Sequence, residues 1–256
     1  MNILHYKKKD NVKKTLISQS NYIKKKGFLK LAIQENKDLL GENNFNGLKI
    51  LEFGCGIIPA SYGIQDSYMP KKYLATDFSN EILKKTRLID PRIDFLKINL
   101  NLKNKNIGKY DIIIFKGVLH HLKNYGVVLY NSKKYLKKNG FILISEPNLK
   151  SIVGNILKYL MFKLFKINME DSPYGQIPYN DLILEIKKNN FVISTITFSR
   201  FLAFMFSGCF GRINIFKNFY IINFFIYLDI LLKFMLSLIG LEKYFFFLVN
   251  LKIYKK

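Results

Sequence analysis

Arginine is the scarce residue of this basic chain. Its 256 residues carry 41 Lys and Arg against 18 Asp and Glu, a balance of +23. Only Arg87, Arg92, Arg200 and Arg212 are arginines. Guanidinium forks are the usual readers of phosphates and base edges, so the charge alone argues weakly for nucleic acid. Nor is there a dense basic arm: in blocks of fifty residues the balance never exceeds +8. The plain reading is a lysine-rich solvated surface; the functional ones are an anionic membrane or nucleic acid. Cysteine is equally sparse. Cys55 and Cys209 alone exclude a disulfide-rich scaffold and a four-cysteine zinc site. No apolar core of signal length follows Lys7, Lys8 and Lys9, so no signal peptide is expected and a reducing, cytoplasmic setting is the default. No internal repeat and no flexible linker stands out. Against these absences, 49% of the residues are apolar, which excludes wholesale disorder and supports a sizeable core.

Along the chain, residues 1–45 read as helical, with an apolar stripe through Phe28, Leu29, Ala32 and Ile33. Short apolar runs then alternate with helical segments. Strands are expected at 48–53, 72–77, 93–99, 110–115 and 141–146. Ser79 is placed to cap a helix through Ile82 and Leu83. A further helix through Val127–Leu136 is expected to end at Lys137-Lys138-Asn139 with Gly140 as its cap. Beyond Pro147 a helix over 180–189, a strand over 191–198 and a strand-like run over 244–254 follow. This rhythm predicts an α/β fold with a doubly wound, mostly parallel sheet.

In such a sheet, ligands bind at the carboxyl ends of the strands. The first strand runs into Glu52-Phe53-Gly54-Cys55-Gly56, where glycines permit positive φ and close backbone approach. Asp77 closes the second strand, twenty-one residues after Gly56. A carboxylate there can accept hydrogen bonds from both ribose hydroxyls of an adenosine cofactor.

Four stretches, LKILEFGCG (48–56), YLATDFSNEIL (73–83), YDIIIFKGVLHHL (110–122) and LKKNGFILISEPN (136–148), together resemble the class I S-adenosylmethionine-dependent methyltransferases of the small-molecule type. The resemblance covers about residues 45–150 and implies a seven-stranded Rossmann-like sheet ending in an antiparallel hairpin. It implies S-adenosylmethionine as cofactor, with Glu52, Gly54, Cys55 and Gly56 around its methionine part. Asp77 would hold the ribose, Phe78 would lie against the adenine, and Asn99 would accept from the adenine amino group. Lys116 joins this set, at a spot more often small or polar. The family's loop usually has a third glycine two residues after Gly56, where this chain has Ile58. On that departure rests the alternative of a non-catalytic, methyltransferase-like binding protein.

His120 and His121 follow the fourth strand, where the family places the methyl acceptor. Adjacent side chains do not share a face, so one of them is read either as a general base or as a loop-fixing histidine. Methyl transfer to a nucleophilic acceptor needs chiefly alignment, so no base is required. Related quinone methyltransferases hold a divalent ion through carboxylates; Gly117 and His120 stand at those positions here, so no metal is expected. Phe115-Lys116-Gly117-Val118 lacks the Pro-Pro-aromatic motif of nucleic-acid amino methyltransferases, which makes an RNA methyltransferase the weakest alternative. Glu146 either contacts substrate or caps a neighbouring loop. By the same resemblance, segment 170–180 with Tyr174 helps to cover the active site and touch substrate.

The organisation expected is an N-terminal helical cap over 1–45, a methyltransferase domain over 46–200 and 242–256, and an apolar helical insertion over 201–241. The longest charge-free stretches of that insertion, 201–211 and 218–228, are shorter than a membrane span. Asn223, Asp229, Lys233 and Ser237 form a narrow polar stripe on a helix, with Asp229 and Lys233 spaced to pair. A spanning helix is therefore not expected. Three readings remain: a substrate lid, a dimer contact in place of a monomer, or a segment in the membrane interface whose Arg200, Arg212, Lys217 and Lys243 meet anionic head groups. The interfacial reading suggests a small apolar or lipid-linked acceptor and a peripheral position on the inner membrane face.

Overall fold

The structure, a computed structural model, describes residues 26–41, 43–100, 106–166, 174–207 and 219–256. Arg212, Lys217, Cys209 and the segment 167–173 lie outside the described residues, as does the first part of the expected N-terminal helix. The chain divides into two compact units: a helical one of residues 1–35, 147–176 and 198–249, and a sheet one of residues 36–146, 177–197 and 250–256.

Helix α1 (Lys26–Leu40), which belongs to the helical unit up to Glu35, leads in the sheet unit to β1 (Lys49–Phe53), followed by β2 (Lys72–Asp77), α2 (Asn80–Ile89), β3 (Asp94–Lys97) and β4 (Tyr110–Lys116). Then come α3 (Tyr125–Ser132), β5 (Leu136–Pro147), and, after the helical unit intervenes, α5 (Tyr179–Lys188), β6 (Phe191–Ser199) and β7 (Leu248–Lys255). The seven strands stand in the order β3-β2-β1-β4-β5-β7-β6. β1 pairs in parallel with β2 and β4, β2 with β3, and β4 with β5. Phe247 N–H bonds Arg200 O and Lys256 N–H bonds Asn190 O, so β7 runs against β6. Ile112, Ile113, Ile114 and Phe115 of β4 are wholly buried. Such a continuous apolar run is what a central strand covered on both faces requires. Ile50, Tyr73, Ala75, Ile112 and Ile114 share one core with Leu39 and Leu40 of α1.

Three local expectations differ from the structure. Gly140 is no helix cap: β5 already begins at Leu136, and its pairing with β4 is irregular between Tyr110 and Ile112. A Cβ at Gly140 would lie 2.7 Å from Asp111 O, so the residue is small because the next strand is close. The final strand starts at Leu248 rather than 244. A helical turn, α8 (Glu242–Phe245), precedes it. Asn148 Nδ2 donates to Lys243 O and Phe246 O, and Ser151 Oγ to Phe245 O, so side chains take the carbonyls a strand would have offered to a neighbour. The third difference is helix α4 (Ile152–Phe165), which the periodicity did not reveal. Ser151 caps it by accepting from Gly154 N–H at 2.9 Å.

The helical unit also contains α6 (Leu202–Phe206) and α7 (Phe219–Leu238). Phe28, Leu31, Met161, Ala203, Phe204, Ile222 and Ile226 form its core. Asp229 accepts from Leu202 N–H at 2.7 Å and Ala203 N–H at 3.1 Å. That is why an otherwise apolar helix carries an acid at its midpoint: it satisfies first-turn amides of α6. Arg200 donates from Nε and Nη2 to the two carboxylate oxygens of Glu35, each at 2.6 Å, which removes it from the cations expected to face head groups. Replacing Asp229 by alanine should cost roughly 2 kcal/mol by orphaning these amides, read as a lower urea midpoint.

Candidate functional site

The residues singled out in the sequence sit where the parallel strands end. β1 ends at Phe53, and the chain turns at once through Gly54 (φ 65°) and Gly56 (φ 60°). A Cβ on Gly54 would lie 2.4 Å from Val118 Cγ2, so this turn tolerates no side chain. Cys55 between them is buried, and burial pushes its thiol well above the ordinary range. That is the state of a packing residue, not a reactive one.

Beyond Gly56 the chain takes two short 3₁₀ turns, Ala60–Gly63 and Asp66–Tyr68. Among the described residues no α-helix stands between the glycine turn and β2. Pro59 disfavours helical backbone at Ile58, and it precedes the first turn with extended backbone. Glu52 holds that turn from beneath: both carboxylate oxygens accept Ala60 N–H at 3.1 Å, and Tyr73 hydroxyl donates to Oε2 at 2.7 Å. Burial raises the Glu52 carboxyl above its usual value, and the Lys116 ammonium opposes the rise. Glu52 therefore shapes the loop from inside the fold.

Asp77 ends β2 as a buried carboxylate. Its Oδ1 accepts Ser79 N–H at 2.9 Å and its Oδ2 accepts Gly56 N–H at 3.4 Å. Burial lifts its pKa from 3.8 to about 6, with backbone donors from Ser79, Gly56 and Phe78 pulling the other way. Phe78 follows, half-buried, and Asn99 lies half-buried just past β3. Ile98 N–H bonds Asp77 O, which keeps that strand end beside Asp77.

Lys116 ends β4. Its Nζ donates to Ile58 O at 2.6 Å and Asn36 Oδ1 at 2.8 Å, and Asn36 Nδ2 donates to Pro59 O at 2.9 Å. The next residue, Gly117, turns with φ 62° and has open space where a Cβ would stand.

Glu146, at the end of β5, is buried. Its Oε1 accepts Val118 N–H at 3.0 Å and Leu119 N–H at 2.8 Å, while Oε2 lies 2.5 Å from His120 Nδ1. This geometry is that of a loop cap. His120 is buried with its Nδ1 committed to Glu146, leaving Nε2 as its other ring nitrogen. His121 is half-exposed, its ring 4.1 Å from that of His120. Tyr174 belongs to the helical unit and is 45% exposed.

The site missed by sequence reading is the Asn36 clamp on α1. Its only signal was a polar residue at a position in phase with Phe28, Ala32 and Leu39.

A sequence profile described as a methyltransferase domain matches residues 26–182. The chain belongs to this methyltransferase family. A stretch of 132 residues is 30% identical to polyketide synthase PksR of Bacillus subtilis (strain 168); it covers 46% of this chain and 5% of that protein. Magnesium protoporphyrin IX methyltransferase from Synechocystis PCC 6803, solved with SAH bound, superposes with a TM-score of 0.56 at 13% identity, over 96% of this chain and 94% of that one. Plantazolicin methyltransferase, also solved with SAH, gives 0.54 at 12% identity, over 98% and 91%. The seven-stranded sheet of this methyltransferase is thus shared with solved enzymes of very different sequence.

Because native Asp77 holds its proton more tightly than an unfolded aspartate, it costs stability as pH rises from about 4 to about 6, and the cost is constant above. The difference from 3.8 to about 6 corresponds to roughly 3 kcal/mol. Urea unfolding across this window should show wild type losing about that much relative to Asp77→Asn, with parallel curves above pH 7.

Proposed function

We propose that this methyltransferase transfers the methyl group of S-adenosylmethionine to a small, apolar or lipid-linked acceptor, working at the inner face of a membrane. The observation that carries the transfer reading is the set of features at adjacent strand ends: the Gly54–Gly56 turn, the buried Asp77 carboxylate and the open turn at Gly117. These fit the cofactor's chemistry. Glycines admit its methionine end, Asp77 accepts from its ribose hydroxyls, and Phe78 and Asn99 suit a purine face and its amino group. When bound, the cofactor would supply an electrophilic methyl on its sulfonium, given up to the acceptor's lone pair with the thioether as leaving group. His121, the more open of the pair, is placed to receive a proton from a hydroxyl or amine acceptor. His120, fixed by Glu146, orients its neighbour and the loop. Alignment is the larger contribution. Magnesium protoporphyrin IX and plantazolicin, named for two fold neighbours, support a small-molecule or peptide natural-product acceptor over a nucleic acid.

The membrane part of this reading rests on helices α7 and α4. On α7, Ile222, Ile226, Asp229 and Lys233 lie on the inner stripe, whereas Tyr220, Phe224, Tyr227, Leu231, Phe234 and Leu238 share the opposite face and are all exposed. The usual amphipathic order is inverted, with the apolar face outward. The 20-residue helix is long and apolar enough to cross a membrane, with mean hydropathy 1.9 over its most apolar 18 residues. Ile222, Ile226 and Asp229 nevertheless anchor it along the unit's own core, which favours an interfacial position. Helix α4 adds exposed Ile152, Ile156, Tyr159 and Phe162. Among the described residues of this unit the acids are Glu35, Asp229 and Glu242. The first two are turned to Arg200 and the α6 amides. Lys163 and Lys166 stand exposed on α4 with no acid beside them on that helix. That asymmetry complements anionic lipid.

Isothermal titration with S-adenosylhomocysteine should show binding that Asp77→Ala weakens at least tenfold. No binding by wild type would defeat the transfer reading. Separately, the protein should float with phosphatidylglycerol vesicles, less with phosphatidylcholine alone, and a Phe224→Asp, Phe234→Asp double variant should stay below. Vesicle-independent dimerisation through the same face would overturn the membrane reading.

A further inference from the structure

The two edges of the sheet are built differently. β3, at one edge, has four residues and carries Asp94 and Lys97 at its ends. Short length and charge are the usual means of keeping an edge from pairing with another chain. β6, at the other edge, runs nine residues as Phe-Val-Ile-Ser-Thr-Ile-Thr-Phe-Ser and carries no charge. Each of the other described strands holds at least two charged residues. Val192 and residues 194–197 of β6 are exposed, Val192 at 49% and Ile196 at 40%. Among the described residues only β7 neighbours this strand, so the outer backbone row of 192–197 has no strand beside it.

The chemistry of the edge narrows what can cover it. Lipid does not suit it, because burying unpaired amides in hydrocarbon is costly. An acidic protein or a nucleic acid would be drawn to lysines, and this strand has none. What fits is another uncharged, β-branched strand. Two copies of a chain with a balance of +23 repel wherever their lysines face each other, and β6 lets them meet without that cost. The strand also matches itself. An antiparallel two-fold through Thr195 sets Ile193 opposite Thr197, Ser194 opposite Ile196, and Thr195 opposite its own copy. Aromatic, β-branched and hydroxyl pairs of this kind stabilise antiparallel sheets.

We propose that β6 is a self-pairing edge through which two copies of the chain join their sheets, antiparallel and two-fold about Thr195. The pairing is independent of the methyl-transfer reading, since residues 192–197 lie outside the strand-end loops. About six residues a side bury less than a standard interface, so the dimer forms reversibly, at micromolar protein.

Sedimentation velocity of the full chain tests this, in the Phe224→Asp, Phe234→Asp background so that the α7 face contributes no association. The sedimentation coefficient should rise with concentration toward that of a dimer. Thr195→Lys, which sets two ammonium groups against each other at the two-fold, should weaken dimerisation at least tenfold. Thiol cross-linking checks the register and serves if Thr195→Lys fails to fold. Directly opposed Cβ atoms lie about 5 Å apart, close to what a disulfide spans. Thr195→Cys, with diamide as the oxidant, should therefore give a covalent dimer bridged between the introduced thiols, mapped by mass spectrometry. Val192→Cys, three residues from the axis, should not. A monomer at every concentration would overturn the proposal. So would a dimer that Thr195→Lys leaves unchanged, which assigns the contact to another surface, or equal cross-linking of the two thiols. Protection of the β6 amides from hydrogen exchange only when phosphatidylglycerol vesicles are added would make lipid the occupant and also defeat it.

Discussion

Buried carboxylates at strand ends hold the loops of this protein in place. A chain leaving a parallel strand abruptly has amide N–H groups that neither helix nor sheet can satisfy, and burying them unpaired is costly. Glu52 near the end of β1, Asp77 at the end of β2 and Glu146 near the end of β5 each solve this in the same way. Glu52 takes Ala60 N–H, Asp77 takes Gly56 and Ser79 N–H, and Glu146 takes Val118 and Leu119 N–H. The turns that follow these strands depend on these three acids.

The same arrangement divides labour among the candidate residues. Acids that are saturated by backbone donors, Glu52 and Glu146, shape the site from behind. Asp77 is also bonded, yet burial lifts its pKa to about 6. Likewise His120 is tied to Glu146, whereas His121 beside it is half-exposed. Asn36 and Lys116, residues eighty positions apart in the chain, brace the loop at Ile58 and Pro59.

The helical unit follows a different logic. Its interior is small and aromatic, with Phe206 and Phe225 stacked at 3.9 Å and Phe201 set among Phe245, Phe246 and Phe247. Its few described acids are directed inward or paired. What remains outside, among the described residues, is apolar and lysine-rich.

Periodicity and turn chemistry alone determined the strand positions in the first half, the parallel core and the strand-end placement of Gly54, Gly56 and Asp77, because these are local consequences of sequence. An alternation, a glycine or a capping serine acts within a few residues. Element edges set by distant partners were not legible: Gly140 lies in a strand because Asp111 is close, and residues 242–245 turn because Asn148 and Ser151 claim nearby carbonyls. The outward apolar face of α7 was also hidden. The sequence shows a narrow polar stripe, but only tertiary packing decides which side of a helix faces the core. Here the inner side took Asp229, because the α6 amides it satisfies are inside.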